Sequence, residues 1–281
     1  MKTSISLLLW TPFVEERHLP ILAELKAMGY DGVEVPVAAG DDDAHYEWLG
    51  GELRGLGLET TAVGFLTAEE DPSGEDPVGR ARAVERIEQL ARRARMIDAG
   101  LIAGPVHEAY AHFPGPITED ELALATDTLA RGAERAARED VALMIEPLNR
   151  FESRLANTLE QAAALVRAAA QPNLGVTFDT HHAHLEADDL LKSVAEAGPW
   201  IRHVQFSENH RGVPGTGQID FQEVARALKA QNYEGWLVVE AFSRFDPALG
   251  DMLRIWRDLA ADWQVVAQKG LRVIQEAWGP A

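Results

Sequence analysis

Short apolar runs alternate with longer stretches whose apolar positions recur at helical spacing, from one end of the chain to the other. The runs Ser4–Trp10, Gly32–Val37, Glu59–Phe65, Leu101–Val106, Ala142–Glu146, Gly175–Asp179, Ile201–Phe206 and Trp236–Glu240 read as strands, because each is compact, apolar and bounded by turn residues. Between them Ala81–Ala99, Glu119–Ala137, Leu159–Ala170 and Phe221–Ala230 are rich in Ala, Leu, Glu and Arg and read as helices. Eight strands separated by helices predict a parallel α/β fold, a single (β/α)8 TIM barrel spanning residues 1–281. A doubly wound open sheet is the alternative, but no GxGxxG follows the first strand.

Two joints repeat. GYDGVEV at 29–35 and NYEGWLVVE at 232–240 each place a Tyr-acid-Gly turn between a helix and a strand, where glycine supplies a special backbone angle. The loop TAEEDPSGEDP at 67–77 is a polar excursion and no linker breaks the composition. The opening MKTSISLLLWTPFVEERH imitates a signal peptide, but its apolar run is short and interrupted and no small-residue cleavage site follows, so it reads as the first strand. With no run approaching the roughly 18 apolar residues of a membrane helix, a soluble, cytoplasmic protein is expected.

The polar ends of the strands carry the chemistry. LMIEP ends at Glu146, GVTFD at Asp179, HVQFSE at Gln205 and Glu208, and WLVVE at Glu240. A single acid after a strand usually caps the next helix. Four strand ends in succession converge at one face of a barrel, where carboxylates held together need a shared proton or a cation. A formal charge of −19 argues against a nucleic-acid partner, and the absence of cysteine leaves imidazole, carboxylate and amide oxygen as ligands for a hard divalent ion.

Taken together, IEPLNRFE, FDTHHAHLE at 178–186, HVQFSENHRGVPGTG at 203–217 and VVEAF around Glu240 resemble the ketose 3-epimerase branch (tagatose and psicose 3-epimerases) of the xylose-isomerase-like sugar isomerases and epimerases. The resemblance covers essentially the whole chain. It implies one divalent ion, manganese first and magnesium or cobalt as substitutes, bound by Glu146, Asp179 and Glu240. Aligned on the Glu-x-x-Arg-x-x-Pro-Gly stretch from Glu208 to Gly215, the fourth ligand position holds Gln205 where the sugar epimerases have histidine; its amide oxygen gives an all-oxygen set. His203 lies about 6.6 Å away along the same side of the strand, at about 3.3 Å per residue, and is assigned to a deeper layer.

The resemblance also implies substrate contacts at Glu152, His182 and Arg211. His181, His182 and His184 read alternatively as a metal-binding tract, disfavoured because His181 and His182 point apart on an extended backbone. The loop GVPGTG occupies a place where such barrels bind phosphate, but it carries one arginine and no lysine. Trp10, Phe65, His107 and Tyr110 are candidate pocket walls.

The activity implied is inversion of carbon 3 of a ketose through a cis-enediolate, with Glu146 and Glu240 as the acid and base pair and no nucleotide cofactor. An aldose–ketose or inosose isomerase, a keto-sugar dehydratase and a non-catalytic sugar-binding barrel stand as alternatives. The expected partner is a small sugar, with neither nucleic acid nor membrane, in a homo-oligomer, a dimer or tetramer. The long amphipathic segment Leu249–Trp278 is assigned either to that interface or to closing the barrel.

Overall fold

A computed structural model describes residues 1–279. Its eight strands are β1 (Lys2–Ser6), β2 (Gly32–Pro36), β3 (Glu59–Val63), β4 (Leu101–Gly104), β5 (Ala142–Ile145), β6 (Leu174–Asp179), β7 (Ile201–Ser207) and β8 (Trp236–Glu240). All pair in parallel, in chain order, and β8 closes on β1. The fold is a (β/α)8 TIM barrel. The principal outer helices are α1 (Leu19–Met28), α2 (Ala44–Leu56), α3 (Pro77–Met96), α4 (Glu119–Ala137) and α5 (Leu159–Ala169), followed by α6 (Thr180–Glu186), α7 (Leu190–Ala197) and α8 (Phe221–Ala230). Two more, α9 (Pro247–Met252) and α10 (Trp263–Trp278), complete the described residues.

Six strands begin where the apolar pattern places them, while β1 starts at Lys2 rather than Ser4 and β6 at Leu174 rather than Gly175; several end early. β1 stops at Ser6 and gives way to a 3-10 turn over Leu7–Leu9, so Trp10 falls beyond the strand end. Leu249–Trp278 is two helices rather than one. α9 ends at Met252 and α10 starts at Trp263, where the Asp262 side chain accepts from the Val265 amide. α4 and α5 begin on capping boxes, Thr118 with Glu121 and Thr158 with Gln161, which satisfy amides that a helix start leaves free. Among the described residues no helix is long and apolar enough to cross a membrane.

The two repeated joints work by division of labour. The left-handed angle falls on the first residue of each, Gly29 at φ 104° and Asn232 at φ 55°, both residue types that tolerate it. The later glycines, Gly32 and Gly235, have no positive φ; they permit close approach. A Cβ on Gly32 would collide with the Glu59 carbonyl and lie 2.9 Å from the Trp236 ring. One on Gly235 would strike the Tyr233 hydroxyl and come within 3.0 Å of the Arg202 carbonyl.

Apolar side chains such as Val33, Val35, Val204 and Phe206 fill the layer between strands and helices. Alternate positions are polar and equally buried: Ser4, Ser6, Glu34, Thr61, His203, Gln205 and Ser207. His203 and Gln205 both reach Glu34 across the barrel, which identifies this polar set as the barrel interior. Outside it, Arg93 is fully buried and donates to the carbonyls of Val37, Ala39 and Gly40 while pairing with Asp43 at 2.7 Å, fixing the loop after β2.

Gly32→Ala is expected to lower stability by about 1–3 kcal/mol, because the obstructing Glu59 carbonyl belongs to the adjacent strand and cannot rotate away. Chemical denaturation would check this, against Gly55→Ala, whose Cβ would meet open space. Equal stability of the two variants would remove the close-approach account.

Candidate active site

The carboxyl ends of β5 to β8 present Glu146, Asp179, Gln205 and Glu240 to one mouth of the barrel, each nearly or fully buried. Glu146 and Glu240 line a cavity together with Phe65, Tyr110, Glu152, His182, Arg211 and Phe242. An adjoining lobe, walled by Leu8, Pro36, Ala38, Val63 and Met252, is apolar.

Burial first, and then the Glu240 and Asp179 carboxylates, push Glu146 well above its ordinary pKa. Burial and Glu240 do the same to Asp179. The acids are therefore destabilised as anions unless a proton or cation lies among them. Arg211 supplies part of the compensation: it pairs with Glu240 at 2.6 Å and stands 3.9 Å from Asp179 and 3.3 Å from Glu152. Burial alone would lower the arginine's pKa, but these acids more than reverse it. Its guanidinium also lies over the Phe242 ring, 4.1 Å from the centroid. The backbone holds it there, since the Arg211 amide donates to the Glu208 carbonyl and its own carbonyl accepts from the Phe242 amide, at a left-handed φ of 57°.

Among the described residues, Asp179 Oδ2, Gln205 Oε1 and His182 Nε2 are buried without a hydrogen-bond partner. Three such atoms at one mouth leave hydrogen-bonding capacity that a bound ligand or water can meet. Ligand atoms of Glu146, Asp179 and His182 lie within 4.8 Å of one another, as do those of Glu152, His181 and His182. The hydrogen bonds of His182 decide its part. Its Nδ1 accepts from the Asn149 backbone amide at 3.0 Å, so the neutral ring carries its proton on Nε2, 3.6 Å from Glu146. Burial holds the ring far below its ordinary pKa and therefore neutral. His182 thus offers a donor to the cavity, which suits a substrate oxygen and not a cation. Glu146 and Asp179 are the oxygen donors that lie close together here, with Glu240 and the amide oxygen of Gln205 on the adjoining strand ends; oxygen is the donor a hard divalent ion takes.

The other histidines take separate places. His181 Nδ1 bonds the Asn209 carbonyl at 3.0 Å and His184 is exposed. The tract lies on α6 and not on an extended backbone; helical rotation is what separates the rings. His203 is fully buried beneath Gln205, bonded to Glu34 at 2.7 Å. Glu208 is a loop clamp: Oε1 accepts from the amides of Asn209, Gln218 and Ile219, and Oε2 from Gly215. Within the GVPGTG loop it engages the Gly215 amide.

Of the candidate walls, Phe65 and Tyr110 line the cavity, and the Tyr110 hydroxyl donates to Glu152 at 3.2 Å. Trp10 and His107 do not. Trp10 packs edge-on against Trp263, 5.3 Å between ring centroids, because β1 ends four residues before it. His107 is buried beside Glu108, which turns away from the mouth. Sequence reasoning missed three contributors: Asn149, which holds His182 and Glu152; Glu34, a lone acid inside the apolar run of β2; and Glu108, which braces the loop bearing Glu152. Glu34 left a signal in its interruption of a buried strand, and Glu108 in following a strand end.

The family profile described as xylose isomerase-like TIM barrel matches residues 22–275. Ketose 3-epimerase of Arthrobacter globiformis is 32% identical over 93% of this chain and 91% of its own. L-ribulose 3-epimerase of Methylomonas sp. (strain DH-1) is 30% identical over 80% of each. The crystal structure of D-allulose 3-epimerase from Methylomonas sp. in complex with D-allulose superposes with a TM-score of 0.92 at 27% identity, covering 99% of this chain and 97% of that one. The chain belongs to the xylose isomerase-like TIM barrel family. Within that family it is an enzyme of the isomerase and epimerase kind.

The Glu108 carboxylate accepts from the Ser153 hydroxyl and from the amides of Arg154 and Leu155, both at 3.2 Å. Glu108→Ala strands these buried donors, so a loss of about 1–3 kcal/mol of stability is expected, with KM rising more than kcat falls. Denaturation and steady-state kinetics together check both parts; unchanged KM would mean that the loop holds Glu152 without this brace.

Proposed function

We propose that the protein is a divalent-metal-dependent ketose 3-epimerase acting on unphosphorylated sugars. The observation that carries this reading is the placement of Glu146 and Glu240 at the ends of β5 and β8, three strands apart around one mouth, with Asp179 and Gln205 on the strands between. Glu146, Asp179, Gln205 and Glu240 would hold the ion, with manganese the expected metal. When bound, it would acidify the hydrogen between the ketone and the neighbouring hydroxyl and stabilise negative charge on their oxygens.

The protein side of the reaction is two proton transfers on opposite faces of one carbon. One glutamate takes the proton from C3, and the C–H electron pair moves into the C2–C3 bond of an enediolate. The other glutamate delivers its proton to C3 from the far side, leaving the two carboxyls with exchanged protonation states and the carbon inverted. Which glutamate acts first depends on the epimer that enters. His182 Nε2–H and Arg211 are positioned to donate to the sugar oxygens, and Glu152, bonded by Asn149 and Tyr110, to accept from a hydroxyl. Phe65, Phe242 and Leu249 close the cavity with apolar surface that excludes water. The apolar lobe beyond gives the remote end of the sugar few polar contacts, which supports broad tolerance there. Engagement of the Gly215 amide by the Glu208 carboxylate and the acidity of the chain support an uncharged substrate. A cytoplasmic homo-oligomer is the proposed setting, on the resemblance alone.

Glu146→Gln and Glu240→Gln are each expected to lower kcat by at least about 10²-fold while ketose binding persists, since an amide preserves the oxygen ligand but carries no proton across. Metal content is measured in each variant. A metal-loaded variant turning over at the parent rate would rule out that glutamate as acid or base.

The raised carboxyls of Glu146 and Asp179 give a second expectation. They must lose protons as the ion enters, so manganese binding should release protons and weaken as pH falls. Titration calorimetry in buffers of different ionisation enthalpy measures this; uptake with no proton release and no pH dependence would contradict the assigned ligands.

A further inference from the structure

Gln205 is the residue at which this chain departs from the histidine of the epimerases it resembles, and an amide brings a difficulty that imidazole does not. Its oxygen and nitrogen are interchangeable in shape but opposite in chemistry, and a hard cation is ligated only by the oxygen. Something must fix which end faces the ion.

The interior layer of the barrel supplies it. Gln205 Nε2 donates to Glu34 Oε1 at 3.1 Å and to Glu240 Oε1 at 3.2 Å, which engages both of its hydrogens. Glu34 Oε2 accepts from His203 Nε2 at 2.7 Å, so Glu34 is held and its free oxygen is turned toward Gln205. All three side chains are fully buried. The opposite amide orientation would set the Gln205 oxygen against two carboxylate oxygens, with no proton between them. The observed one leaves Gln205 Oε1 as a buried acceptor with no partner among the described residues. Of the two anchors, Glu240 exchanges a proton in the proposed reaction, whereas Glu34, which does not line the reaction cavity, is available throughout.

We propose that Glu34 is a positioning residue that locks the amide of Gln205 with its oxygen toward the divalent ion, and so makes glutamine serviceable as a ligand at this position. This rests on the metal-dependent reading given above. His203 serves in turn to orient Glu34.

The test is a double-mutant cycle read as manganese affinity and not as turnover, with melting of the metal-free proteins as the check on folding. Glu34→Leu, which removes the acceptor, is expected to weaken manganese binding about tenfold or more, the range for groups that orient ligands. Gln205→Glu replaces the amide by a carboxylate that has no wrong end and is repelled by Glu34. In that background Glu34→Leu removes the repulsion, and affinity should stay level or rise. Removal of negative charge alone would weaken binding in both backgrounds, and an equal loss in both overturns the proposal. Should Glu34→Leu fail to fold, a metal-loaded crystal structure of the unmodified protein decides. Gln205 Oε1 on the ion and Nε2 on Glu34 is the expected result; Gln205 off the ion, or Nε2 released from Glu34, overturns it. If the unmodified protein binds no divalent metal, the metal-dependent reading itself fails and this proposal with it. Metal binding with no reversal between backgrounds defeats only the role of Glu34.

Discussion

Crowding of buried negative charge at the mouth of the barrel is the constraint on which the rest of the site depends. Glu146, Asp179 and Glu240 stand together at the ends of neighbouring strands, with Glu34 below them and Glu152 above. Water cannot screen them, and Arg211 is the cation paired directly with this group. Fold and chemistry meet in that imbalance. Parallel strands of a closed barrel deliver the carboxylates without choice, and their repulsion creates a place that suits a shared proton or a divalent ion.

The surroundings are arranged to keep that charge usable. Nearby polar groups have defined partners: the Gly215 amide donates to Glu208, the Gln205 nitrogen donates to Glu34 and Glu240, and His182 Nδ1 accepts from the Asn149 amide, which leaves Nε2–H to the cavity. What faces the cavity is a short set of groups with defined polarity: an N–H from His182, the Arg211 guanidinium and the carboxyls of Glu146, Glu152 and Glu240. Apolar walls from Phe65, Phe242 and Leu249 complete it.

Much of this was legible in the sequence because strand ends are legible. Apolar runs terminated by Glu146, Asp179, Gln205 and Glu240 mark the mouth directly. Other features were hidden for physical reasons. The 3-10 turn that carries Trp10 away from the mouth begins inside an unbroken apolar run, where no residue signals the change. The tract around His181 and His182 reads as extended from its place after a strand, yet Asp179 caps a helix there by accepting from the His181 amide. Glu108 follows β4 as the other acids follow theirs, but it faces the loop at 153–155, and periodicity carries no information about that. Glu34 was visible only as an acid out of place in GVEVP; its partners lie at positions 203 and 205, contacts that closure of the barrel alone creates.

Proton exchange at a single carbon is the most direct measure of whether this mouth inverts a ketose. Manganese-loaded protein incubated with a free ketose such as D-allulose in deuterated water should yield the C3 epimer carrying one deuterium, located at C3 by NMR. Deuterium at C1 or C2, or an epimer formed with no solvent deuterium, would contradict the assignment of Glu146 and Glu240 as a pair working on opposite faces of C3.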